Sequence, residues 1–137
     1  MISVVAPASS PEGVEAVLRA GADAVYCSST RFHAREGLDV GMHPSALMRV
    51  RKAVTKKGGS FYLVLNAFPS DIDWDACVAH AEACIRLRPD GMIVGSLGLA
   101  KWLRTHGQPK ILSSVLTGAW SAQAIEALAE IGVHQVT

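Results

Sequence analysis

The amino-acid sequence predicts an α/β fold of parallel (β/α) units, with about six strands and five helices in a single domain over residues 1–137. Three observations predict it. Short runs rich in β-branched residues alternate strictly with stretches of helical period, the strands starting roughly 20 to 35 residues apart. Helices begin at serine or proline and end at glycine, the residues whose side chains or backbone freedom suit those positions. Strict strand-helix alternation also implies crossovers, which join parallel strands right-handedly and cover the sheet with helices.

The elements follow in order. Ile2 to Ala6 is a short apolar run and predicts the first strand. Ser10 caps a helix that Pro11 opens, Val14, Val17 and Leu18 share one face, and Gly21 closes it. Asp23 to Cys27 predicts the second strand. A long connection, Ser28 to His43, holds two arginines, two histidines and two acids. Loops of that length in compact domains are mostly functional or disordered. Pro44 opens the next helix, with Leu47, Val50 and Val54 inward, Arg49, Lys52 and Lys56 outward, and Gly58-Gly59 as its stop. Ser60 to Asn66 is a third strand. Trp74 to Leu87 predicts a helix with Trp74, Val78, Ala81 and Ile85 as the core stripe. Met92 to Gly95 is a fourth strand, and Ser96 caps a short helix carrying Leu99, Trp102 and Leu103 that Gly107 ends. Lys110 to Ser114 is a fifth strand. Ser121 caps a helix with Ile125, Leu128 and Ala129, closed by Gly132, and Val133 to Val136 is a sixth apolar run.

Two architectures satisfy this pattern. One is part of an eight-unit barrel, the TIM-barrel arrangement, which typically takes ~250 residues. The alternative is a doubly wound open sheet, for which 137 residues is an ordinary size. Either places the chemistry at the carboxyl ends of the strands.

Composition narrows the function classes. Half the residues are hydrophobic, 18% are charged and the formal net charge is +1, which argues against a nucleic-acid partner. No apolar run reaches the ~20 residues of a membrane span. Three cysteines without framework spacing fit a reducing compartment, and the N-terminus lacks the pattern of a signal peptide, so a cytoplasmic location is the expectation. Glycine-rich phosphate loops are absent.

The densest polar group at a strand end is Arg31-Phe32-His33-Ala34-Arg35. A guanidinium there can bind a carboxylate or phosphate through two parallel bonds, and His33 titrates near neutrality. The plainer alternative is a solvated loop whose arginine pairs with Glu36 or Asp39. Asn66, after five apolar residues, directs its amide toward the mouth of the sheet or satisfies a local turn. Serines 28, 29, 96, 113 and 114 also fall at strand ends, but no local pattern supplies a histidine and an acid to complete a hydrolytic triad. Cys77, His80 and Cys84 can share one helix face. Without a Cys-x-x-Cys pair they read as core, and no metal site is expected. Cys27, at a strand end, is a candidate thiol. Arg49, Arg51, Lys52, Lys56 and Lys57 form a basic cluster that reads as a solvated helix face.

Several of these stretches resemble the U32 peptidase family, the collagenase-like proteases, in order along the chain. The matching segments are Ala6-Pro7-Ala8, Ser10-Pro11-Glu12, Arg19 through Tyr26 (RAGADAVY), Phe32-His33-Ala34-Arg35, Leu65-Asn66, Asp90 through Val94 with Leu97-Gly98, and Glu130 through Val133. The resemblance covers essentially the whole chain, as the N-terminal barrel region of a longer family member. It departs at Cys27-Ser28-Ser29, where Gly-Gly is usual, at Ser96, where an acid is usual, and near Leu116, where a glutamine is usual. The family name implies proteolysis of collagen-like substrates, while other members hydroxylate RNA bases or quinone precursors with an iron–sulfur cluster. The cluster's cysteines lie downstream of the matching region, so no cofactor is expected within this chain. The resemblance makes Arg35, Asn66, Arg31, His33 and Ser96 the candidate substrate-binding residues, for a small-molecule or peptide ligand, and leaves the catalytic residues unassigned. Six strands without a barrel's last units leave a strand edge and apolar surface uncovered, so a homo-oligomer, or a partner chain completing the barrel, is the expected assembly, and a non-catalytic binding or assembly module is the alternative function.

Overall fold

A computed structural model describes residues 2–38, 40–106 and 110–137. The Gly107 helix stop and the Arg35–Asp39 pairing lie outside the described residues. The strands are β1 (Val5–Pro7), β2 (Ala24–Ser29), β3 (Gly41–Met42), β4 (Ser60–Leu65), β5 (Gly91–Val94), β6 (Lys110–Ser113) and β7 (Gln135–Val136). Between them run α1 (Pro11–Arg19), α2 (Pro44–Lys57), α3 (Trp74–Ile85), α4 (Leu97–Thr105) and α5 (Ala122–Glu130).

All strand pairs are parallel, and the order across the sheet is β1-β2-β4-β5-β6-β7. Each strand lies beside the next long strand in sequence, with no reversal. A doubly wound sheet needs a switch point where the order turns back. Its absence overturns the open-sheet alternative, and the six strands with five helices form a half-barrel. β3 is an addition that the sequence did not announce. It pairs with β2 at Ser28 and Ser29, alongside the stretch β1 leaves free, because β1 ends opposite Tyr26. The long connection after β2 thus ends as sheet, at Gly41 and Met42.

Pleating divides the strands into two faces. Cys27, Leu63, Met92 and Ile111 form one cross-strand row and are all buried against the helices, with Leu47, Val50, Val54, Leu99 and Leu103 opposite. The other row, Ser28, Val64, Ile93, Leu112 and Gln135, faces the concave side.

Local signals act largely as read. Ser10, Ser96 and Ser121 accept from the amides of Gly13, Leu99 and Ala124, and Gly21, Gly58 and Gly132 take positive φ at helix ends. Several details differ, and of the sixth run only Gln135–Val136 is strand. Strand β1 starts at Val5, because Val4 serves instead as a tether to Asp23, donating its amide to Oδ2 and accepting from the Asp23 and Ala24 amides. Ile2 is left exposed. α3 ends at Ile85 and buries Cys77, Ala81 and Cys84, a face rotated from the expected stripe, with Trp74 and Ile85 only flanking it. α5 buries Leu128 alone, leaving Ile125 exposed. The basic helix face is also partly neutralised: Arg51 pairs with Asp90 at 2.6 Å, and Asp90 also accepts from the Phe61 amide.

Gly95 permits the close approach of β5 to β4. A Cβ there would lie 2.6 Å from the Asn66 carbonyl oxygen. Gly95→Ala is expected to cost about 1–3 kcal/mol as the strand ends separate. Urea denaturation measures this, and an unchanged midpoint would contradict it.

Candidate functional site

The carboxyl ends of β2, β4 and β6 are tied together by one side chain. Asn66 follows β4; its Oδ1 accepts from the Ala34 amide at 2.9 Å, and its Nδ2 donates to Ser114 Oγ at 3.3 Å. The Ala67 amide donates to the Phe32 carbonyl beside it. Glu36 folds back to accept from the Phe32 amide at 2.8 Å. These bonds hold Phe32 at φ 60°, a left-handed conformation rare for a bulky residue. Such conformations cost of order 1–3 kcal/mol and persist where surrounding bonds over-determine them, as they do at binding sites.

The strained turn delivers His33, Ala34 and Arg35 to a cavity of about 720 Å³ on the concave face. Its floor is Tyr26, Tyr62, Val64, Ile93 and Leu112, and its mouth carries Ser28, His33, Arg35, Asn66 and Ser114. His33 is 4% exposed, and its Nδ1 is buried without a hydrogen-bond partner among the described residues. Burial lowers its pKa from the ordinary 6.5; Glu36 opposes this and Arg35 adds to it. A neutral imidazole at a cavity wall can accept or donate one proton. Arg35 is exposed, and no carboxylate lies within salt-bridge distance of it among the described residues.

Three of the five sequence candidates, Arg35, Asn66 and His33, thus meet at one mouth. The other two do not join them. Arg31 is exposed, with its guanidinium 4.8 Å from the centre of the Phe32 ring. Ser96 caps α4 and does not line the concave cavity. Ser114 contributes more than its place among the strand-end serines suggested, because its hydroxyl meets Asn66 across the mouth.

Behind the sheet lies a contact that no local pattern announced. Ser29 Oγ and His80 Nε2 share a hydrogen bond of 2.5 Å across 51 residues of sequence. The His80 ring lies tilted against Phe32, 5.6 Å between centres. Ser29 is 2% exposed and neither residue lines the concave cavity, so the pair braces the turn and is not placed as a nucleophile and base. Burial lowers the His80 pKa first, Arg31 and His33 push the same way, and Glu36 opposes them.

The cysteines are buried thiols. Burial pushes Cys27 up to about 12 and Cys84 to about 11, so both stay protonated at neutral pH and neither is a ready nucleophile or ligand. Among the described residues no three His, Cys, Asp or Glu side chains gather as a metal site. The donor set does not fit an iron–sulfur cluster.

The fold has recognisable relatives. The chain matches the family model described as Peptidase family U32 over residues 9–137. No curated protein sequence matches it. Among solved structures it is similar to the U32 peptidase Mk0906, with TM-score 0.81 and 12% identity, covering 99% of this chain and 57% of that one. It is also similar to a phosphonopyruvate hydrolase (TM-score 0.65, 16% identity, 98% of this chain and 53% of that one). Orotidine 5'-monophosphate decarboxylase from Sulfolobus solfataricus gives TM-score 0.61 at 13% identity, over 98% and 63% of the two chains. At these identities the likeness is one of fold. The chain spans little more than half the length of the U32 peptidase.

His33 and His80 are both more neutral in the fold than in an unfolded chain, which binds the extra protons as pH falls below about 6.5. Their contribution to stability is whole above that pH and is lost as pH falls through the lowered folded values. Urea midpoints are expected to drop between about pH 7.5 and about pH 5.5, and to drop less in His80→Gln. An equal drop in the variant would contradict the assignment.

Proposed function

Because the chain belongs to peptidase family U32, we propose that it forms the substrate-binding wall of a U32-type peptidase, holding a peptide-like substrate at the carboxyl ends of its strands. One observation carries the reading. The concave cavity of about 720 Å³ runs along the strands to their carboxyl ends, where chemistry resides in parallel barrels, and is lined there by His33, Arg35 and Asn66. In this reading Arg35 orients the substrate by charge-assisted hydrogen bonds. His33, buried and neutral, exchanges a proton with a bound group. Asn66 keeps both in place through the Ala34 amide and Ser114. Among the described residues none is set up as a peptidase nucleophile, so the bond-breaking group is assigned to no residue of this chain. The outer edges of β1 and β7, unpaired among the described residues, are where a second copy or a partner chain would complete the wall.

Amide hydrogen exchange with a collagen-like, Gly-Pro-rich peptide tests the site. Saturation is expected to slow exchange in residues 28–38 and 66–70 and to leave α2 and α5 unchanged. Protection confined to the helical face would contradict the reading.

A further inference from the structure

Arg35 lines two cavities at once. Besides the concave cavity, it borders a smaller one of about 230 Å³ at the end of β1, together with Ser9, Tyr26, Ser28 and the Pro7-Ala8 turn. Tyr26 and Ser28 border both spaces as well. The two therefore adjoin along a ridge of three polar side chains, one of them a fixed cation.

Building on the peptide-binding reading above, we propose that the smaller cavity holds a free carboxylate of the substrate and the larger cavity its apolar body. The substrate class is then a carboxylic acid with an aliphatic or aromatic body, of which the C-terminus of a peptide is the instance that fits a peptidase.

Charge count selects the anion. One guanidinium offers paired donors matched to the two oxygens of a carboxylate, and the Ser9, Tyr26 and Ser28 hydroxyls are neutral donors. A phosphate dianion calls for a second cation. The other ordinary cation of the concave cavity, Lys110, begins β6 at the far end of the strands and donates to Gln135 at 3.0 Å. His33, two residues away, has its pKa lowered by burial, which favours the neutral ring. The body is met by Tyr62, Val64, Ile93 and Leu112 in the middle of the concave face, between the polar ridge at one end and Lys110 and Gln135 at the other. A ligand with its charge at one end and apolar mass at the other matches this division.

Calorimetric titration of the chain with an N-acetylated Gly-Pro-Leu tripeptide, as the free acid and as the C-terminal amide, tests the assignment. A second pair, 3-phenylpropionate and 3-phenylpropionamide, carries the same contrast without a peptide bond. In the wild type each acid is expected to bind at least about tenfold more tightly than its amide. In Arg35→Ala, an exposed position whose loss leaves the core intact, the ratio is expected to fall to about one. Equal binding of acid and amide, or a ratio that survives in Arg35→Ala, overturns the carboxylate assignment and leaves the peptide site standing. Tighter binding of phenyl phosphate than of 3-phenylpropionate likewise overturns it. An acid preference in the small pair with no binding of either tripeptide supports the carboxylate and instead removes the peptide reading.

Discussion

The carboxamide of Asn66 is the interaction on which the rest of the mouth depends. It accepts from the loop after β2 and donates to the end of β6, so one side chain sets the spacing of three strand ends. An amide suits this task because it carries a donor and an acceptor on one rigid plane. An aspartate at the same place would accept at both ends and meet Ser114 only if the hydroxyl turned to donate. Gly95 belongs to the same device, since the backbone of Asn66 occupies the volume a side chain there would need. The strained Phe32 is the consequence. Bonds from Glu36 and Ala67 and a ring contact from His80 hold it where an unsupported chain would not stay.

Around that device the half-barrel separates its two chemistries by strand pleat. Residues on the helical side, from Cys27 through Leu63 to Met92, are close-packed and apolar, and even the polar Ser29 there is used for bracing. Residues on the concave side are aromatic and aliphatic along the middle of the strands and polar at both ends, with Asn66 and Ser114 at one and Lys110 and Gln135 at the other. One-residue alternation thus places a stable core and a ligand-sized space on opposite faces of the same strands. The raised pKa values of Cys27 and Cys84 follow from the first face, and the lowered value of His33 from its burial beside the second.

Much of the scaffold was legible from the sequence because its signals are local. Ser10-Pro11, Gly21, Gly58 and Ser121 act within a few residues of where they stand, and hydrophobic period fixed the faces of α1 and α2. The parallel sense of the strands also followed from the alternation, but their order did not, because the same alternation fits an open sheet whose order turns back. The errors sit where long-range contacts override local preference. β1 is displaced because Val4 is recruited by Asp23. α3 buries Cys77, Ala81 and Cys84, as the core reading of its cysteines had it, and only flanks with Trp74 and Ile85 of the other expected stripe. At the site, Arg35, His33 and Asn66 were legible as polar residues at strand ends. Their convergence was not, because the bonds that make it join residues 32 and 48 apart. The Ser29–His80 contact, 51 residues apart, left no trace in any motif. β3 was equally silent, since a two-residue strand has no period to read.

The Arg35 loop is a fixed part of the mouth, held by Asn66. Residue-resolved amide exchange of Ala34 in the wild type and in Asn66→Ala tests it most directly. The Ala34 amide is expected to be protected in the wild type and to become free in the variant, while the amides of Leu63 and Met92 keep their protection. An Ala34 amide that exchanges at the unfolded rate in the wild type, or stays protected in Asn66→Ala, would contradict it.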